Sequence, residues 1–249
     1  MSATAYVNAR LIDPASSLDS PGALLTEGGQ IAGLGADLFP SGPPDGAEVV
    51  DCAGRVLCPG LIDMRVFVGE PGAEHKETLA SASEAAAAGG VTCIIVQPNT
   101  EPVIDEVALV EYVKRQARDK AVVRIHPMAA ITKGLCGEKM AELGLLAEAD
   151  AVAFTDADRS VANAQVMRRV LSYASAFDLL ICHYPEEPAL AGSGVMNAGE
   201  VAMRLGLPDI PTQAETIMVE RDLRLVEMTG GRYHAACLST AQAIAALAA

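Results

Sequence analysis

Acids, imidazoles and thiols gather where short apolar runs end. Asp63 and Arg65 follow the run 56–63, and Gln97-Pro98-Asn99-Thr100 follows the run 91–97. Thr155-Asp156-Ala157-Asp158 closes the run 150–155, Cys182-His183-Tyr184 the run 178–184, and His234 with Cys237-Leu238-Ser239-Thr240 the run 232–239. Carboxylates, neutral imidazoles and thiolates converging from separate strands could hold zinc, which lowers the pKa of a bound water to about 7 and makes hydroxide available at neutral pH. The set is thin for that purpose. Cys182 and His183 are adjacent on an extended run, so their side chains leave opposite faces. His234 and Cys237, three apart, also oppose. The best remaining pair is one thiol and one imidazole from neighbouring strands, fewer ligands than zinc takes. A Cys–His nucleophile has no third orienting group in view. Asp63, Asp156 and Asp158 are the acids within reach, and Arg65 is expected to pair with one of them.

The elements that must position these residues show two rhythms. Up to residue 57 the chain has short apolar runs separated by turn signals (Asp13-Pro14, Gly28-Gly29, Gly42-Pro43-Pro44-Asp45-Gly46), the pattern of short antiparallel strands, with a loop over 39–46. From there on, apolar runs at 56–63, 91–97, 121–127, 150–155, 178–184 and 232–239 alternate with stretches of helical character at 75–88, 103–117, 138–147, 162–176, 214–228 and 240–249. The first five runs start about every thirty residues. Near-continuous apolar strands alternating with helices predict βα units around a parallel sheet buried on both faces. Six such units favour a barrel of the (β/α)8 TIM type, incomplete by two, over an open dinucleotide-binding sheet, for which no G-x-G-x-x-G follows a strand. The expected organisation is therefore a small β-sandwich portion at 1–57 and a partial barrel at 58–249.

Composition narrows the function classes. The 249 residues are 51% hydrophobic and 20% charged, enough for a sizeable core. Aromatics are 4% and Trp is absent, so that core must be Ala, Val, Leu and Ile. Lys plus Arg number 18 against 32 Asp plus Glu, a net charge of -14 that disfavours binding to nucleic acid or an anionic membrane. The six cysteines are scattered without a CxxC pair, which predicts reduced, mostly buried thiols and a cytoplasmic location. No basic-then-apolar leader opens the chain, and no apolar run is long enough to span a membrane.

Two stretches, PGLIDMRVFVGEPGAEHKETLASASEAAAAGGVTCIIVQPNT (59–100) and GEVAMRLGLPDIPTQAETIMVERDLRLVEMTGGRYHAACLST (199–240), resemble dihydroorotase of the amidohydrolase superfamily, and the resemblance runs over essentially the whole chain. It implies a zinc-dependent barrel with a small β-sandwich that hydrolyses the cyclic amide of dihydroorotate, or closes carbamoyl aspartate in reverse, in pyrimidine biosynthesis. The family's pattern after the first strand is similar to D-x-H-x-H-x-R-x-P-G; here Arg65 and Phe67 stand at the two ligand His positions and Gly69 at the substrate-gripping Arg. Where the family has F-[ST]-D-D-G, Ala157 replaces the second Asp. Counting without a gap, the fifth-strand His falls on Tyr184, with His183 one residue early. In the stretch similar to R-x-H-x-x-H-[VL]-S-T, Cys237 replaces the ligand His, while His234 survives. The family's catalytic Asp would come from a strand beyond Ala249.

The five vestigial positions, Arg65, Phe67, Ala157, Tyr184 and Cys237, therefore predict no metal, no cofactor and no catalytic residue. A guanidinium has no lone pair to offer and does not deprotonate in proteins. Asn99 matches a substrate-contacting Asn of the family, so Asn99 and Arg65 remain candidate ligand contacts. The resemblance then implies an inactive dihydroorotase-like chain. Its class precedent is a structural or regulatory partner of aspartate carbamoyltransferase, and the chain is expected to form a homo-oligomer or that hetero-oligomer. The other readings are an active cyclic amidohydrolase with an altered metal site and a non-catalytic small-molecule binder.

Overall fold

The structure is a computed structural model that describes residues 2–248. It separates into two compact units, Met1–Leu61 and Ile62–Ala249.

The first unit is one sheet. Strands β1 (Ala3–Asp13), β2 (Leu18–Glu27) and β3 (Gln30–Gly35) form an antiparallel meander, joined on the far edge by β4 (Glu48–Asp51) and the short β5 (Val56–Leu57). Glu27 sits opposite Gln30, so the β2–β3 loop is Gly28-Gly29 alone, with φ of 57° and 80°. A two-residue hairpin whose twist matches its strands needs that left-handed backbone at both positions, which glycine adopts without steric cost. Residues 39–46 are turns and bends, as expected. The all-antiparallel expectation fails at β4 and β5, which both run parallel to β1. The segment between β3 and β4 crosses over and returns the chain to the free edge of β1 in the same direction, as a parallel neighbour requires.

The run 56–63 is two strands rather than one. Val56–Leu57 belongs to the first sheet, and after Pro59-Gly60 the chain starts β6 (Leu61–Val66), the first stave of the second unit. There β6 is followed by α1 (Leu79–Ala88), β7 (Val91–Val96), α2 (Val107–Lys120), β8 (Arg124–Pro127), α3 (Leu143–Glu148), α4 (Ala164–Ser175) and β9 (Leu180–His183). After β9 come the short α5 (Pro188–Ala191), β10 (Met196–Asn197), α6 (Glu200–Leu205) and β11 (Asp209–Ile210), then α7 (Gln213–Thr229), β12 (Arg232–Ala235) and α8 (Ala241–Ala248). The expected helix at 240–249 is thus present, except that Ala249 lies outside the described residues. The strand expected at 150–155 is reduced to Phe154, which bridges Ala129 on one side and Ile181 on the other, both in parallel. The wall of staves therefore runs β6, β7, β8, the Phe154 segment, β9 and β12. This is a partial (β/α)8-type barrel.

Alternation along each stave sorts the side chains. Ile94, Ile125 and Ile181 face the helices and pack with Leu79, Val110, Val113, Leu143, Leu146, Met167 and Leu171 in the main core. Met128, Ala153 and Cys182 form a separate inner cluster. A cavity of about 30 Å³ lined by Met64, Gln97, Met128, Thr155, Cys182 and His234 marks the barrel interior. Helix starts follow local capping. Thr78 Oγ1 accepts the Ser81 N–H at 3.1 Å and Ser81 Oγ accepts the Thr78 N–H at 3.1 Å, so α1 begins after His75 and Lys76 rather than at them. Asn163 caps α4 in the same way, accepting from the Gln165 and Val166 N–H groups.

All six cysteines are free thiols, but only Cys93 and Cys182 are buried, because the others fall on loops and sheet edges. Among the described residues no helix is long and apolar enough to cross a membrane. Leu171 is fully buried, and a Cβ on Gly231 would lie only 3.1 Å from Leu171 Cδ2, so the two pack closely. Leu171→Ala is expected to lower stability by about 2–5 kcal/mol in chemical denaturation, the cost of a cavity that a rigid neighbour cannot collapse into.

Candidate functional site

The staves bring four of the five positions that the resemblance compares with metal ligands to one end of the barrel. Arg65, projected by β6, donates from Nη2 to the carbonyl of Ala157 at 3.3 Å. Tyr184, just past β9, donates its hydroxyl to Glu186 Oε2 at 3.2 Å, and its pKa is pushed up to about 12, first by burial and then by Glu186. Cys237 pushes the same group up and Arg65 pulls it down, so both lie within electrostatic reach of the phenol. Phe67 does not join them. It is 42% exposed and lines a surface groove with Ala82 and Ala86 of α1 and Val91 and Ile94 of β7. Asn99 has a buried Oδ1 with no hydrogen-bond partner, and no hydrogen bond links it to Arg65.

The expected pairing of Arg65 with an acid does not form. Asp156, 1% exposed, accepts the Thr132 N–H at 2.9 Å on one oxygen and the Thr132 hydroxyl on the other. Burial raises its pKa and these bonds only partly offset the rise. Asp63 takes the backbone N–H of Arg65 at 3.0 Å, and Asp158 is exposed. With the buried Asp156 carboxylate committed to Thr132, the guanidinium settles on a carbonyl.

Ala157 and Cys237 both have left-handed backbone, with φ of 58° and 56°. That conformation costs most L-residues about 1–2 kcal/mol, whereas Asp and His are enriched there. Those are the residue types that the resemblance places at the two positions. At both positions this chain holds a backbone shape that its own side chain does not favour.

Zinc does not fit the residues present. Arg65 brings a fixed cation, Ala157 a methyl group, Tyr184 a phenol held to Glu186, and Asp156 a carboxylate with each oxygen bonded to Thr132. Among the described residues no group of three or more His, Cys, Asp or Glu is arranged to hold a metal ion. Two unit charges of like sign about 4 Å apart repel by about 4 kcal/mol at an effective dielectric near 20, and a divalent ion beside Arg65 would meet about twice that. On the inner face, Cys182 and His234 are register partners that line the small interior cavity, the thiol–imidazole pair from neighbouring strands expected above. Burial pushes the Cys182 thiol up to about 11, so it is protonated and inert at neutral pH.

His183 has a different role, one that sequence reasoning missed. Alternation turns it away from Cys182 and toward α7, where it is fully buried. Its Nδ1–H donates to Asp222 Oδ2 at 2.6 Å and its Nε2 accepts the Val161 N–H at 2.8 Å, an arrangement that defines the neutral tautomer. Tyr233 donates its hydroxyl to the same Asp222 oxygen at 2.9 Å. Arg221 donates to the other from Nε at 2.9 Å and Nη2 at 2.6 Å, and reaches the Val161 and Ala162 carbonyls from Nη1. The sequence signal was the Arg221-Asp222 pair inside an otherwise amphipathic helix. The network ties β9, β12, α7 and the segment before α4 into one unit.

Burial pushes the Asp222 carboxyl up, but the bonds from His183 and Arg221 outweigh it and hold the group below the ordinary carboxylate range. A lowered folded-state pKa contributes stability above the unfolded pKa and loses it as pH falls through the folded one. Asp222→Asn is expected to cost about 3–5 kcal/mol at neutral pH, the penalty for stripping one member from a buried charged network, and to flatten the acid limb of the stability curve. Urea titrations of both proteins at neutral and acid pH check this.

Comparisons with known proteins accord with this geometry. The family model described as "Dihydro-orotase-like" matches residues 54–243. The dihydroorotase of Solibacter usitatus is 46% identical over 238 residues, covering 96% of this chain and 54% of that protein. The dihydroorotase of Syntrophus aciditrophicus is 45% identical over 235 residues, covering 94% and 55%. Among solved structures, the L-hydantoinase (dihydropyrimidinase) of Arthrobacter aurescens superposes with a TM-score of 0.76 at 21% identity, over 94% of this chain and 52% of that one. A D-hydantoinase (dihydropyrimidinase) from Thermus sp. gives 0.69 at 21% identity, over 98% and 54%. These structural likenesses show the fold. The chain spans about half the length of the relatives it matches. The matched family model covers most of the chain, including the staves that carry the mouth, and the protein described here belongs to the dihydroorotase-like family.

Proposed function

We propose that this chain is a non-catalytic dihydroorotase-family barrel that serves pyrimidine biosynthesis, in the cytoplasm, as a structural or regulatory partner. The supporting observation is the Arg65 guanidinium bonded to the Ala157 carbonyl at 3.3 Å, where the family resemblance puts a ligand imidazole and a ligand carboxylate. Cyclic-amide hydrolysis by this family needs hydroxide made on a metal, and enzymes typically lower barriers by about 8–23 kcal/mol. Arg65, Ala157, Tyr184 and Cys237 supply no such nucleophile. Arg65 would keep the mouth positively charged without an ion, and the His183–Asp222 network would hold the staves beneath it. Aspartate carbamoyltransferase is the partner that the family precedent implies, and the chain would assemble with it or with copies of itself. Asn99, with its unpartnered Oδ1, and Arg65, with donors to spare, would be the contacts for any small ligand retained at the mouth.

A second reading is favoured by one observation. Relatives that are 45–46% identical over nearly all of this chain carry the name dihydroorotase. On that reading the protein interconverts carbamoyl aspartate and dihydroorotate through an altered metal site. Two measurements separate the readings. Protein purified with zinc in the medium is expected to hold far less than one zinc per chain and to turn over no dihydroorotate. Stoichiometric zinc with chelator-sensitive turnover would establish the second reading. Mixing with aspartate carbamoyltransferase is expected to give a larger species on gel filtration; two separate peaks would remove that partner.

A further inference from the structure

A second groove lies on the barrel wall away from the mouth, between β8, α2 and the end of α3. Its volume is about 970 Å³, at the upper end of the usual range for ligand clefts. Lys114, Arg115, Arg118 and Arg124 line it against Glu111 and Asp150, together with His126. On a chain of net charge -14 this is a local reversal of sign. Lys114 is bound to Glu111 and Asp150, and Arg118 to Asp119. Arg115 lies over the Tyr112 ring at 5.9 Å. The Arg124 guanidinium has no ion pair or hydrogen bond among the described residues, and Arg124 is exposed.

The backbone beneath these cations is an open strand edge. In a parallel pair the N–H and C=O of one residue point to the same side, and successive residues alternate. The Met128 N–H bonds Val96 on β7, and the Val122 N–H bonds Ser83 Oγ on that same side. The intervening odd-numbered residues face the other way: the Pro127 carbonyl accepts the Val152 N–H there. Val123 and Ile125 therefore turn their N–H and C=O toward the groove, where the neighbouring stave has shrunk to the Phe154 bridge and leaves them without a backbone partner among the described residues. Exposed Val122 and Val152, 64% and 42% accessible, supply an apolar wall. An open edge of two residues, an uncommitted arginine and three further cations suit one class of occupant.

We propose that this groove docks an extended acidic peptide segment of a partner protein, which pairs with Val123 and Ile125 as an added strand and sets its carboxylates against Arg124 and Arg115. This mode takes affinity from main-chain hydrogen bonds and selectivity from the side chains. The probe is a fluorescein-labelled hexaglutamate peptide, titrated onto the purified chain at low salt and followed by anisotropy. Saturable binding is expected, weakened about tenfold by Arg124→Glu, the scale of one lost charge-assisted contact. Arg115→Glu, an exposed helix position, is expected to weaken it as well and serves should Arg124→Glu fail to fold. Amide exchange should slow at Val123 and Ile125 in the complex. The proposal is overturned by absence of binding, by equal affinity in the folded Glu variants, by unchanged exchange at both amides, or by displacement of the peptide with equimolar pyrophosphate, which would make the groove a plain anion site.

Discussion

A guanidinium and a divalent cation cannot occupy one small pocket. A guanidinium does not deprotonate in proteins, so the positive charge that Arg65 brings to the mouth is permanent. Everything around it is consistent with a cation that is part of the chain. The Ala157 carbonyl takes one of its N–H groups, Tyr184 points its hydroxyl to Glu186, and buried Asp156 has both oxygens on Thr132. A zinc ion draws ligands toward itself from several strands; a tethered guanidinium needs one acceptor.

The strain in the mouth concerns the backbone more than the side chains. Ala157 and Cys237 hold left-handed conformations that their side chains do not favour. Such conformations survive only where the surrounding structure over-determines them. The His183–Asp222–Arg221–Tyr233 network is that surrounding structure on one side. It clamps β9 and β12, whose continuations carry Tyr184 and Cys237. The bonds that hold this part of the scaffold lie on the opposite face of β9 from the inner cluster that contains Cys182.

Charge is distributed with a purpose that the net value hides. A balance of -14 speaks for repulsion from phosphate backbones and acidic surfaces. Yet the cations of α2 and β8 collect on one side of the barrel, beside a stave too short to cover its neighbour. The fourth stave is short because the chain leaves α3 at Glu148 and, after Ala151 closes onto Leu146, has only a few residues before the Asp156 turn. A local economy of chain length leaves an edge open beside the basic side chains of α2 and β8.

Much of this was legible along the chain. Alternating apolar and amphipathic stretches report a parallel barrel wall, since period and spacing are local properties of strands and helices. The resemblance located Arg65, Ala157, Tyr184 and Cys237, and alternation alone separated Cys182 from His183. Other features depend on distance in three dimensions. The split of 56–63 between two sheets turned on which neighbour each half could reach. The parallel β4 depended on a crossover that no short-range pattern encodes, and the contraction of 150–155 to one bridging residue on where α3 ends. Asp222 finds His183 across 39 positions of chain, and Phe67, in register for the mouth, turned to α1 instead. Sequence by itself determined which residue types stand at each stave end. Only the tertiary structure decided which of them meet, because a hydrogen bond is a matter of a few ångströms between groups that the chain's order keeps far apart.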